Sequence, residues 1–155
     1  MKPVPAADGV SADPLELILV APEFLPAAWP KIKPLLDATT ETWELYASEE
    51  DIATLIINGQ FKLWMVMRRY DLVLAVLTQL ISYPKIVEQR IFWCAGKEID
   101  EALGLLELIE KYGRKHGAIL SGVSGRDGWT KKLQSRGYRK AGVLLIKDLS
   151  GHTEH

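Results

Sequence analysis

The chain has 155 residues, 48% of them hydrophobic and 25% charged, with a formal net charge of −1. Those values exclude a disordered or collagen-like polymer and leave one domain long enough to bury a core. The single cysteine, Cys94, excludes an internal disulfide and a cysteine-based zinc cluster, and it fits a reducing, cytoplasmic compartment.

Residues 1–14 carry three prolines among small and polar residues. They read as a flexible leader that lacks the apolar segment of a signal peptide. "LELILVAP" (Leu15–Pro22) alternates weakly and suits a first strand. "AAWPKIKPLLDATT" is interrupted by Pro30 and Pro34, so a helix there is expected to start at one of them. Ser48, with Asp51 three residues on, resembles a capping box. It opens a helix that places Ile52, Leu55 and Ile56 on one face and closes at Asn58-Gly59.

Three β-rich runs follow: Phe61–Arg68, Leu72–Pro84 and Lys85–Gly96. The second is apolar on both faces, as an inner strand should be, and the short links favour an antiparallel meander. "EIDEALGLLELIEKYGRKHG" has helical spacing, acids in front, bases behind, and Gly117 as its stop. "AILSGVSG" is a short strand, expected to run parallel to its predecessor because a helix separates them. A helix ending at Gly137 and a last strand, "YRKAGVLLIKDL", complete the order, and residues 150–155 read as a loose tail. The prediction is an α/β fold, a mixed and largely antiparallel sheet flanked by helices, in one domain over residues 15–149. No run approaches the ~20 apolar residues of a membrane span.

Charge is segregated. Residues 1–60 hold ten acids and three Lys/Arg, whereas residues 111–140 hold nine Lys/Arg against Asp127 alone. The basic third suits phosphates or an acidic partner, or serves as a solvated helix face. Its shortness and lack of exposed-looking aromatics argue against nucleic acid.

The helix–Gly–aromatic ending in "WTKKLQSRGYRK" and the helix–Gly–strand segment "LIEKYGRKHGAILSGVSG" carry a resemblance. With the element order, they resemble the Gcn5-related N-acetyltransferase (GNAT) fold from about Leu15 to Leu149. The pattern Gly125-Arg126, Gly128-Trp129, Gly137-Tyr138 is similar to small GNAT-like proteins encoded by bacteriophages. The resemblance implies acetyl-CoA as ligand, its pantetheine arm in a wedge between C-terminal strands. Cys94, Gly96, Lys97, Arg126, Lys131 and Lys132 are then the cofactor-binding candidates. Glu88 is the implied general base and Tyr138 a substitute acid, with Tyr83 a second candidate for that acid.

Two departures from the family pattern stand out. The strand–helix junction "CAGKEIDEAL" offers one glycine, Gly96, and sets Glu98, Asp100 and Glu101 at a helix front. Carboxylates there are expected to repel a diphosphate, at a cost on the order of 1 kcal/mol or more per like-charge contact. The family's acid tyrosine is replaced by Leu133 and its asparagine by Arg126.

Ordinary structural readings compete for each candidate. Glu88 is apt as a base for an ammonium, but Arg90, two along on the same face, is available to pair with it. Tyr83 and Tyr138 suit edge packing on the sheet. His116 suits capping of helix carbonyls, and three scattered histidines give no metal-ligand spacing. Cys94 reads as buried rather than reactive. Arg126 suits bidentate binding of phosphate or carboxylate, or of an acid elsewhere in the fold. Trp129 suits a core anchor, while Trp29, Trp43 and Trp64 are expected to leave ring surface for a partner.

Two functional readings follow. One is a GNAT-fold protein with a degenerate CoA loop that binds and modulates another protein, a host target in the host cytoplasm if phage-encoded. The other is an active acetyl-CoA-dependent N-acetyltransferase acting on a small amine or a protein lysine.

Overall fold

Four strands follow one another as an antiparallel meander: β1 (Leu15–Val20), β2 (Phe61–Arg68), β3 (Asp71–Ser82) and β4 (Val87–Gly96). A fifth, β5 (Leu120–Val123), joins β4 in parallel and completes the order β1-β2-β3-β4-β5. This is the arrangement in the computed structural model, which describes residues 13–125 and 128–151. The β2–β3 turn is tight because Arg69 adopts the left-handed conformation at φ 55°. A helical connection separates β4 from β5, and that length is what a parallel pair requires.

Pleat alternation gives the sheet two buried faces. One packs Leu63, Met65, Ala75, Leu77, Trp93 and Ala95 against α1 (Leu25–Asp37) and α2 (Glu49–Ile57). On the other, α4 (Leu106–Lys115) sets Tyr112 edge-on against Trp64, at 5.1 Å between ring centroids. Its Ile109 carbonyl accepts a 2.7 Å hydrogen bond from Gln89 Nε2. Gln89 lies so near that a Cβ at Gly113 would meet its Nε2 at 2.6 Å.

The expected start of α1 at Pro30 or Pro34 is incorrect: the helix runs through both. Pro26, Pro30 and Pro34 recur every fourth residue and all face solvent, while Leu25, Ala28, Ile32 and Leu36 turn inward. Carbonyls deprived of an amide partner by proline therefore lie where water hydrates them, which lowers the usual penalty. The capping box at Ser48 is present. Asp51 N–H donates to Ser48 Oγ at 3.0 Å, and Ser48 N–H donates to Asp51 Oδ2 at 2.9 Å.

The single helix expected after β4 is also revised. It is split into α3 (Ile99–Ala102) and α4 by a tight turn at Leu103–Leu105, with Gly104 at its centre. Glycine's low helix propensity accounts for the break. His116 ends α4, and its Nδ1 lies 2.9 Å from the Tyr112 carbonyl, the capping role expected of it.

The chain divides into two units, residues 1–124 and 125–155. In the second, α5 (Gly128–Gln134) ends in a left-handed glycine, Gly137 at φ 89°, with Tyr138 N–H donating to the Leu133 carbonyl at 3.2 Å. The expected last strand over 138–149 does not form among the described residues. Its centre is apolar on both faces and needs a neighbouring strand; instead Val143, Leu144 and Leu145 are 73%, 79% and 87% exposed. Arg126 lies outside the described residues, as do most of the expected leader and tail.

Candidate functional site

Two irregularities of β4 coincide. Its pairing with β5 covers Glu88↔Leu120 to Ile91↔Val123 and stops there. On its other side the register to β3 passes from Ile91↔Thr78 to Trp93↔Leu77, so Phe92 is an extra, bulged residue. A bulge bends the strand and sharpens its twist. It also sends Phe92 and Trp93 to the same face, where Phe92 packs on Phe61 at 5.0 Å and meets Tyr46 edge-on at 6.5 Å. Beyond the bulge, residues 92–96 keep β3 on one side and pair with no strand on the other among the described residues. The result is a stretch of β4 edge that no strand of the described residues covers. Such an edge accepts an extended, amide-bearing ligand in the way it would accept another strand.

Glu88 sits below the bulge, about 13 Å along the strand from Phe92. Alternation places it with Arg90 on the α1–α2 face, opposite Gln89. Arg90 grips it with two hydrogen bonds, Nε to Oε2 at 2.7 Å and a terminal nitrogen to Oε1 at 2.9 Å. The carboxylate's hydrogen bonds hold the Arg90 guanidinium above its ordinary range despite partial burial. Tyr83 Oη accepts a longer bond from Arg90, 3.4 Å. Gly122 on β5 makes room: a Cβ there would meet Glu88 Oε2 at 2.1 Å. Glu88 is thus a buried, clamped carboxylate, which disfavours it as a free general base.

At the upper end, Cys94, Gly96 and Lys97 stand together where β4 leaves the sheet. Cys94 is half-buried, and burial pushes its thiol up to about 12. Gly96 is required by the fold: at φ 142°, a Cβ would meet the Val73 carbonyl at 2.3 Å. The Lys97 N–H donates to that same carbonyl at 2.9 Å and is not free to cradle a phosphate. The expected repulsion by the helix-front acids is offset, because Arg68 on β2 reaches Glu98 at 3.0 Å and Glu101 at 2.6 Å. Burial works against the Arg68 charge, but the Glu101 and Glu98 carboxylates outweigh it and raise its pKa. Sequence reasoning passed over Arg68. Its pairing joins residues 30 and 33 positions apart, which no local pattern reports.

Lys131, Lys132 and Tyr138 belong to the second unit, on α5 or just after it; both lysines are exposed and Tyr138 is half-buried. Trp43 and Trp64, expected to offer ring surface, are 4% exposed. Each indole N–H is occupied, Trp43's by the Leu36 carbonyl at 3.1 Å and Trp64's by Thr78 Oγ1 at 2.9 Å. Among the described residues no group of acids, histidines or cysteine could hold a metal ion. No helix among them is long and apolar enough to cross a membrane.

The mixed five-strand sheet can be set beside solved structures. An aminoglycoside acetyltransferase from an uncultured soil metagenomic sample, crystallised with trehalose, superposes with a TM-score of 0.67 over 88% of this chain and 97% of its own, at 14% identity. A GNAT family acetyltransferase of Staphylococcus aureus gives 0.62 over 88% and 99%, at 10% identity. This is the GNAT acetyltransferase fold. A predicted acetyltransferase of Clostridium acetobutylicum, solved with acetyl-CoA, shares the fold at a TM-score of 0.63 and 9% identity, over 90% of this chain and 99% of that one. No family model matches the sequence, and no curated protein matches it. In this fold the bulged β4 is the backbone of the candidate site, and the Glu88–Arg90 pair lies at its lower end.

Proposed function

We propose that the chain is an acetyltransferase-like protein that takes the acyl-bearing arm of acetyl-CoA along β4 and presents it to an amine. The observation that carries this is the edge over residues 92–96, which pairs with no strand beyond β3 among the described residues. It offers main-chain groups to the amides of a pantetheine arm. Lys97, exposed at the end of that edge, supplies a positive charge for the phosphates. The Arg68 bridge to Glu98 and Glu101 keeps the junction from presenting bare carboxylates.

When bound, the thioester supplies an activated acyl carbonyl; the chain's own residues supply position and charge. The segment from Asp37 to Asp51, both included, carries six acids and no Lys or Arg, and its Tyr46 meets Phe92 at the bulge. That acidic rim suits a cationic amine as acceptor. With Glu88 clamped by Arg90, the amine sheds its proton to water rather than to a strand carboxylate. The test combines thermal unfolding with acetyl-CoA, which should raise Tm by mass action, and release of free thiol in the presence of polyamines or aminoglycosides. An unchanged Tm at millimolar acetyl-CoA would sink the proposal.

A second reading, binding of a protein partner without catalysis, draws on the same clamp. It draws too on Leu133, a buried side chain that cannot protonate a departing thiolate. Acetyl-CoA binding without thiol release, together with a stoichiometric partner on purification from lysate, would favour it.

A further inference from the structure

The bulge at Phe92 also decides which side chain of β4 faces α1 and α2. Glu88 and Arg90 lie on that face, so unbroken alternation would put Cys94 there and turn Trp93 away. The extra residue shifts the phase by one, and Trp93 and Ala95 join the core on the α1–α2 side. From there the buried Trp93 reaches the chain just past α1, where its indole N–H donates to Thr39 Oγ1 at 3.0 Å. The same hydroxyl donates to the Leu35 carbonyl at 2.7 Å. The links continue outward from Thr39. Its carbonyl accepts from the Thr42 hydroxyl at 2.7 Å and from the Thr42 N–H at 3.0 Å. The Glu44 N–H donates to the Thr40 carbonyl at 2.8 Å, and the Tyr46 N–H to the Trp43 carbonyl at 3.0 Å. Glu44 and Tyr46 are exposed, and Tyr46 returns to the bulge by its edge-on contact with Phe92. Lys33 holds Asp37 and Glu49, and the capping box takes Asp51, whereas Glu44 makes no ion pair among the described residues.

We infer that Trp93 and Thr39 are positioning residues, whose hydrogen bond sets the amine-collecting segment 39–46 against the strand edge that takes the acyl arm. Trp93 belongs to both sides. Its main chain is part of the edge over residues 92–96, and its indole fixes the first turn of the acidic segment. A strand that bends at the bulge therefore carries the segment with it, and the Tyr46 ring and the Glu44 carboxylate keep one place relative to Phe92. Such a pair suits an ammonium on an aliphatic chain, with the ring face and the carboxylate sharing its charge. Fixing the two reactants' supports to one another is what turns two binding events into a productive encounter. Neither Trp93 nor Thr39 needs to touch the amine. For the identity of its ligand the inference rests on the acetyltransferase-like reading above; its geometry lies wholly within residues 39–93.

The experiment titrates the full-length protein calorimetrically with spermidine, without acetyl-CoA, so that amine binding is read apart from turnover. Thr39→Val should weaken spermidine binding about three- to tenfold, the worth of one hydrogen bond. Thr39→Ser keeps the hydroxyl and should restore it. Trp93→Phe removes the same bond and leaves no buried N–H without an acceptor, so it carries the test if Thr39→Val does not fold. The variant with Thr39→Val and Trp93→Phe together should lose no more than the larger single loss, because both changes delete one contact. Additive losses, an unchanged affinity in the single variants, or no spermidine binding by the unmodified protein would each overturn the inference. Thermal unfolding with acetyl-CoA separates this result from the proposed function. The rise in Tm should be the same in Thr39→Val as in the unmodified protein, and its loss in Thr39→Val alone would overturn the positioning role. No rise in the unmodified protein, with the spermidine pattern intact, would remove the acetyltransferase-like reading and leave the positioning of a cation-binding segment standing.

Discussion

Arg90 and Glu88 show how one side chain fixes the role of another. Glu88 is 7% exposed and takes both its strong bonds from Arg90, and the missing Cβ of Gly122 leaves room for its Oε2. Removing the guanidinium leaves a buried carboxylate short of donors. Because Arg90 is itself partly solvated, Arg90→Gln should cost about 1–3 kcal/mol rather than the larger penalty of a fully buried pair. The check is a fall of several degrees in Tm, with Glu88→Gln costing less because the charge it leaves, on Arg90, is the more solvated of the two. Cys94 gives a second residue-scale prediction. Its thiol is raised from 9.0 to about 12 by burial. The native protein should therefore resist alkylation at pH 8 and react only on unfolding. The stability linked to this group is fully present below the unfolded thiol's pKa. It is lost as pH rises from there through about 12, because the unfolded chain ionises first. Rapid labelling of the folded protein at pH 8 would contradict the burial. The Glu88–Arg90 pairing was legible in the sequence because i, i+2 residues share a strand face. Gly122's part was not, since it depends on a register that pairs residues 32 positions apart, Glu88 with Leu120 and Arg90 with Gly122.

At the scale of elements, local chemistry carried as far as its range allows. The capping box, the left-handed Gly137 stop and the alternation of β2 to β4 are short-range signals, and each element formed where they pointed. The bulge at Phe92 left no such signal, because it is defined by what lies opposite on β3. The prolines of α1 misled for a related reason. Proline ends a helix when the orphaned carbonyl is buried, and only the fold shows that Pro30 and Pro34 face water. That account makes a prediction. Pro30→Ala restores an amide donor on the solvent face and removes the ring clash, which in a helix interior is worth up to about 3 kcal/mol. The extra freedom of the unfolded chain takes back up to about 1 kcal/mol. A net gain of about 1–2 kcal/mol is expected in a denaturant titration, with no change in slope. A loss of stability would show that proline is there to hold a bend the sheet needs.

For the whole molecule, the question is where cooperative stability resides. β3 is paired on both sides along most of its length, and its Ala75 and Leu77 are at most 1% exposed. Its amides should open only with global unfolding. β5 pairs four residues with one strand among the described residues and should open at lower cost. The segment 142–149 has no strand partner within the described chain, so its amides should exchange at close to the rate of an unstructured peptide when the protein is dilute. Its pattern was legible as a strand, and the pattern was not at fault. An apolar run reports that a strand wants cover; it does not report whose edge supplies it. Amide exchange followed by mass spectrometry checks the ranking: β3 should be the most protected, β5 less so, and 142–149 the least, because an amide without a ladder partner opens at almost no cost. Exchange in β3 as fast as in β5 would contradict the assignment of the cooperative core to the central strand.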